Sequence, residues 1–339
     1  MNLETTHAPQ SLAPALHDLP KLNLLDLQIH FFNDLRAKGR SGNTLKNYKT
    51  DLECFNQYLK KTTMHLNIDG FTISHIEEYD KFLQKKYSSD NSKRRRVQAL
   101  RIFFDFLVSQ GHFGSNPVRK LPTSPKFLDI PRPTPFIDVK TLWEHLLEES
   151  QTGNKMNRLL SLRNQVVMLF IFGGGLKVSD ITRLKMEDIF LGEGPRVLVK
   201  PEKRDPYSVP LPAVFSTAFE VYKNVLEQEK KIAGLDFENV LFNANPYQIL
   251  SGGLSPRGLE IVFEELRKKL LLTLTPKSLR QACIFKWLQK KLDESLIKEW
   301  MGVAPSYSLK LYRDHLSSHS FDDSFLQEIY DHFKSRPRN

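Results

Sequence analysis

Cysteine is nearly absent from this chain: Cys54 and Cys283 are the two thiols in 339 residues. Two thiols build no disulfide framework, and such usage points to a reducing compartment. Both fall in apolar helical patterns and read as small buried hydrophobes. Long apolar runs are missing too. The longest, VVMLFIF at 166–172, ends in glycines and is too short to cross a bilayer. The first residues lack the basic-then-apolar layout of a secretory leader, so the expectation is a cytoplasmic protein with no membrane partner. Acidic residues are in deficit: 39 Asp and Glu face 49 Lys and Arg, a formal charge of +10. That imbalance favours a polyanionic partner, most commonly nucleic acid. No internal repeat or low-complexity tract is present.

What is present describes a globular chain, with 40% hydrophobic residues and 23 Phe. The length suggests two domains, each able to bury its own core. Residues 1–20 hold three prolines and no lysine or arginine, and read as a flexible tail. From 21 to 113 the periodicity is helical throughout, in four segments. Leu45, Tyr48, Leu52, Phe55 and Leu59 share one stripe, and Gly39 fits a helix stop. Six prolines between 114 and 135 preclude a continuous helix and predict a semi-rigid linker there. Beyond it, in 136–339, helices are expected at 138–149, 156–172, 213–232, 255–270, 276–290, 293–301 and 322–334. A hairpin interrupts them, with strands at 196–200 and 208–212 around a basic turn. The fold class is therefore mainly α with a small β-sheet.

The charge is uneven. Residues 21–120 carry 18 Lys or Arg and 10 Asp or Glu, so a surplus of 8 sits in the helical part. Lys93, Arg94, Arg95, Arg96 and Arg101 concentrate it in about two turns, and Lys46 and Lys49 add to it. Adjacent cations repel, and a phosphate backbone would offset that repulsion. Far along the chain, LTPKSLRQACIFKWL (274–288) begins like a capped helix at Thr275 and Pro276. Lys277 and Arg280 then share a face in a first turn that is already electropositive, an arrangement suited to an anion.

Four stretches occur in a telling order: GGGLKVSDITRLKMEDIF (173–190), the hairpin at Lys200, TPKSLR (275–280) and IKEWMGVAPSYSLKLYRDHL (297–316). Behind an all-helical basic domain, with Asn116–Pro117 at its exit, this set resembles the tyrosine recombinase (phage integrase) family, and its Xer-like branch in size. The resemblance spans residues 22–335. It implies an N-terminal four-helix, SAM-like core-binding domain and a C-terminal mixed α/β DNA breaking-rejoining domain, closing together as a C-shaped clamp. It also implies double-stranded DNA as partner, a nucleoid-associated location, and self-association or pairing with a related recombinase. The segment FDDSFLQEIYDHF would dock on a neighbouring protomer. No metal or other cofactor is implied.

In that family a tyrosine attacks a DNA phosphodiester and stays attached as a 3′-phosphotyrosine, conserving the bond energy for rejoining. By this resemblance the nucleophile is Tyr312, nine residues past Val303, and Tyr307 has the wrong spacing. The second arginine is Arg280. The hairpin lysine that protonates the leaving oxygen is Lys200, with Lys203 as the alternative because the turn is about two residues longer than usual. Asp180 matches an acidic position, and Lys203 and Arg204 also count as DNA contacts. Trp287 and Trp300 read as core. Several positions depart from the family pattern. The first catalytic arginine, in TGLR, falls on Lys177, and the HxLR histidine falls on Lys277. A histidine often following that motif is Gln281, and the LGH histidine is Val303. Lysine keeps the charge but loses the guanidinium fork, and valine donates nothing. Two readings follow: a site-specific recombinase acting in integration, excision or replicon resolution, or a weakened or inactive recombinase-fold DNA-binding protein with a regulatory or accessory role.

Overall fold

The structure, a computed structural model, describes residues 23–62, 66–67, 73–121, 130–152, 154–192, 194–202, 204–245 and 247–335. The tail read at 1–20, the linker residues Pro122 and Pro125, and Lys203 lie outside the described residues. The chain divides into two compact units, 1–128 and 129–339.

The first unit is built from α1 (Leu24–Ala37), α2 (Gly42–Thr62), α3 (Ile73–Lys86) and α4 (Asp90–Ser109). Asn23 caps α1 by accepting the Leu25 N–H at 2.8 Å. Gly39 follows the helix at φ +67°, where a side chain would be strained. The stripe on α2 faces inward as its spacing predicts, with Leu52, Phe55 and Leu59 buried. They join an aromatic core in which Phe55 meets Tyr79 at 4.9 Å and Phe31 meets Phe103 at 5.3 Å, both edge to face. Cys54 is buried here as a free thiol.

The exit from this unit is pinned rather than loose. Asn116 accepts the Val118 N–H, while its own amide donates to the Arg101 carbonyl at 2.8 Å and to Asp105 at 2.7 Å. Pro117–Lys120 form a 3-10 turn on this cap. At the far end of the proline-rich stretch, Arg132 N–H donates to the Gln281 side chain at 3.1 Å and Thr134 N–H to the Ser278 carbonyl at 3.0 Å. Both ends of the expected linker are thus packed. A proline cannot donate a backbone hydrogen bond, but the residues between prolines can, and here they do.

In the second unit, α5 (Phe136–Thr152) and α6 (Lys155–Met168) pack as a hairpin, and α6 runs on into a π-turn over Leu169–Gly173. The short helix α7 (Val178–Ile181) precedes an antiparallel sheet of β1 (Ile189–Phe190), β2 (Arg196–Val199) and β3 (Tyr207–Pro210), in that order. Val197 pairs with Ile189 on one side and Val209 on the other. Then come α8 (Val214–Ala233), the two-stranded β4 (Phe242–Ala244) and β5 (Leu250–Gly252), α9 (Pro256–Leu270) and α10 (Pro276–Gln289). The chain continues through α11 (Glu294–Trp300), α12 (Lys310–Asp314) and α13 (Ser324–Ser335). The long helices and the hairpin fall where the periodicity places them. Elements of two to five residues (β1, β4, β5, α7 and α12) are additions, because nothing that short displays a period.

Helix α10 is the axis of this core: Leu279 and everything from Gln281 to Leu288 is buried. Lys286 is buried among them, with Nζ donating to the Phe172 carbonyl at 3.0 Å and the Gly173 carbonyl at 3.2 Å, and pairing with Asp323 at 3.0 Å. Trp287 is core, as expected. The apolar stripe of α13 packs within its own chain. Phe325, Leu326, Tyr330 and Phe333 are buried, Trp143 of α5 donates its indole N–H to the Leu326 carbonyl at 3.1 Å, and its ring stacks on Tyr330. An amphipathic stripe shows that a face will be covered, not by which chain.

Candidate active site

The site grows from the start of α10. Thr275 and Ser278 form a reciprocal cap, each side chain serving the other's backbone N–H. That fixes the first turn and sends Arg280 inward. Its Nε donates to the Gly175 carbonyl at 2.5 Å and its Nη2 to the Met301 carbonyl at 2.6 Å. The guanidinium therefore ties the loop after the π-turn to the loop after α11. Gly175 has to be glycine: φ is +64°, and a Cβ would lie 2.5 Å from the Trp287 ring.

Lys177 directly precedes α7 and sends its Nζ to the Gly302 carbonyl at 2.8 Å. Burial lowers its pKa, and the charge of Arg280 lowers it further, while Asp180 opposes both. Asp180 is buried, 3.5 Å from Arg183. Tyr312, on α12, is buried with its ring 5.3 Å from Phe285. Burial pushes its hydroxyl up to about 12 and Tyr307 adds to this, while Arg280 and a hydrogen bond with Gln281 pull it back. Tyr307 is exposed. Lys277 lies on the surface and lines a cavity of about 550 Å³ with Lys177, Arg280, Arg267 and Phe263. Lys177, Lys277, Arg280 and Tyr312, all singled out in the sequence, thus come from three segments to one region.

Lys200 is not among them. It pairs with Asp188 at 2.6 Å and Glu187 at 3.1 Å, and these carboxylates raise its pKa. Arg204, from the same turn, does reach the region. Its guanidinium stands 5.4 Å from the Tyr207 ring, beside Gly302. Gly302 has φ +61°, and a Cβ there would run into the Tyr207 hydroxyl. Burial pushes that hydroxyl up to about 12. Sequence reading missed Tyr207. The only cue was an aromatic opening β3 directly after a basic turn. Val303 lines a neighbouring concavity with Arg204 and Tyr207.

The basic helix α4 differs from expectation in one respect. Consecutive helical residues point about 100° apart, so its cations find separate partners within the unit. Lys93 pairs with Asp90 at 2.7 Å and donates to Gln84, and Arg95 pairs with Asp51 at 3.0 Å. Arg96 lies 3.8 Å over the Tyr87 ring and donates to the Ser92 carbonyl. Arg101 donates to the Val118 and Leu121 carbonyls. Their mutual repulsion is therefore offset within the unit, without the phosphate backbone the charge run called for. Lys46 and Lys49 are exposed on α2, and Arg94 is half-buried.

Comparison with known proteins fits this geometry. Tyrosine recombinase XerD of Listeria innocua serovar 6a is 26% identical over 308 residues, covering 90% of this chain and 98% of that protein. Tyrosine recombinase XerC of Oceanobacillus iheyensis is 26% identical over 324 residues, covering 94% and 98%. The fold matches a lambda integrase dimer bound to a COC′ core site with a TM-score of 0.63 at 18% identity, over 89% of this chain and 79% of that one. Residues 29–111 match the phage integrase N-terminal SAM-like domain. Because residues 143–319, which hold Lys177, Arg280 and Tyr312, match the phage integrase family itself, the chain belongs to that family.

Proposed function

We propose that the chain is a site-specific recombinase that cuts and rejoins double-stranded DNA through a 3′-phosphotyrosine, in integration, excision or replicon resolution. The observation that carries this reading is the convergence of Arg280 and Lys177 on adjacent carbonyls, those of Met301 and Gly302, ten residues before the buried Tyr312. The Tyr312 oxygen attacks phosphorus, and the P–O5′ bond breaks with its electron pair on the 5′ oxygen. The tyrosine proton passes to solvent, and the departing oxygen takes a proton. Arg280, Lys177 and Lys277 hold the charge that builds on the phosphate. Lys200 is the proton donor in this scheme and must first exchange its contacts with Asp188 and Glu187 for the DNA. The helical unit would grip DNA through exposed cations such as Lys46 and Lys49, with Arg94 alongside. Lys203 and Arg204 would add contacts from the hairpin turn. Partners are duplex DNA and a second recombinase, identical or related.

Covalent capture tests the reading. The protein is incubated with fragments of its own genome and denatured, and protein-linked DNA is recovered, with Tyr312→Phe and Tyr307→Phe in parallel. Linked fragments that vanish only in Tyr312→Phe are expected. Fragments retained without denaturation but never linked would assign the chain to binding without cleavage.

A further inference from the structure

The two inward-facing cations of the site, Arg280 and Lys177, are already engaged. Arg280 directs Nε and Nη2 at the Gly175 and Met301 carbonyls, and Lys177 directs its ammonium at the Gly302 carbonyl. An attacked phosphodiester spreads charge over two non-bridging oxygens, a load best met by planar guanidinium forks. Lys177 is a point charge and cannot supply one. A second fork stands at the same turn. Arg204 projects from the β2–β3 turn, and its Nη2 lies 3.2 Å from the place a Cβ on Gly302 would occupy. The absence of that Cβ is what lets the Tyr207 hydroxyl and the guanidinium approach. A cation–π approach to the Tyr207 ring, at 5.4 Å, orients the group. Its charge acts on both Lys177 and Tyr207. Among the described residues no carboxylate pairs with Arg204, whereas Arg183, which flanks the site, is paired with both Asp180 and Glu202. An exposed guanidinium whose charge already acts on Lys177, with its fork uncommitted, is arranged for an anion.

We propose that Arg204 is the site's second phosphate-binding guanidinium, a catalytic residue that holds a non-bridging oxygen of the attacked phosphodiester where Lys177 lacks the fork. This rests on the recombinase reading above and deepens it. It distinguishes Arg204 from a general backbone contact, because its effect has to depend on what occupies position 177.

The test is a double-mutant cycle read by covalent capture on genomic fragments, with wild type, R204Q, R204K, K177R and K177R/R204Q. Retention of the same fragments without denaturation serves as the binding control. R204Q is expected to lower linked DNA by about 10²-fold when expressed as a fraction of the DNA retained without denaturation, with R204K intermediate. In the K177R background, where position 177 carries its own fork, the loss from R204Q should shrink to a few-fold. Full activity in R204Q, or an equal loss in both backgrounds, overturns the proposal. Should wild type link no DNA at all, the cleavage reading falls and Arg204 is judged separately, using inorganic phosphate as the probe. The Arg204 Nε–Hε resonance, identified by its loss in R204Q, should shift saturably as phosphate is added. A resonance that does not move overturns the phosphate assignment as well.

Discussion

Arg280 holds two loops while its charge acts on Tyr312, so one side chain has both a structural and a chemical role. Tyr312 itself is raised, and the sign of that shift has a measurable consequence. Its hydroxyl ionises at 10.0 when unperturbed and is pushed up to about 12 in the fold, chiefly by burial. The unfolded chain therefore releases this proton first as the pH climbs. Stability from the buried neutral hydroxyl is complete below about pH 10 and is lost as the pH rises towards 12. Urea unfolding midpoints at pH 9 and pH 11 should drop more steeply for wild type than for Tyr312→Phe. Equal drops would mean that the hydroxyl is not buried as described. The residue scale is also where the sequence was most legible in one respect and least in another. Arg280 and Tyr312 stand in ordered motifs whose chemistry dictates the residue type. Tyr207 and the Gly302 turn belong to no motif, and their part in the site depends on a contact between segments about a hundred positions apart, which spacing does not encode.

At the level of elements, α13 is the clearest case. Its stripe was readable from the period, but its partner was not, and the structure shows it buried against α5 in the same chain. Leu326 is fully buried there. Leu326→Ala should cost about 2–5 kcal/mol of unfolding free energy, measured by urea denaturation of the second unit. A change below about 1 kcal/mol would show that this helix does not pack on its own chain in solution. The basic helix α4 gives the opposite lesson. Its charge density is plain in the sequence, yet the partners that absorb it come from elements before and after it. Asp51 of α2 and Tyr87, just past α3, take up Arg95 and Arg96. A charge run reports its own content and not its surroundings. The proline-rich stretch behaves similarly, since its composition excludes a helix but says nothing of Arg132 and Thr134 anchoring on α10.

For the whole molecule, the formal charge of +10 is the dominant quantity, and it predicts how DNA binding responds to salt. Each phosphate neutralised by a lysine or arginine releases condensed counterions, so affinity should fall linearly on a log–log plot as salt rises. Because Lys93, Arg95, Arg96 and Arg101 are engaged internally, the slope should reflect fewer phosphates than the cation count suggests. Fluorescence anisotropy on duplex DNA between 50 and 300 mM salt, roughly the range in which such contacts are resolved, measures it. A flat response would remove DNA-backbone contact as the source of affinity.

Lys286 gives the chain's end a hold on its chemical middle. The ammonium sits between the carbonyls of Phe172 and Gly173, directly before the glycine loop that Arg280 grips, and the Asp323 carboxylate, directly before α13. Peeling the last helix away would strand a buried cation, a loss of about 3–5 kcal/mol for such a pair. Whatever displaces α13 therefore has to bring a replacement carboxylate to that spot. The terminus is latched by a charge that only an acid-bearing newcomer can unlatch without penalty, and the loop feeling the change is the one beside Lys177.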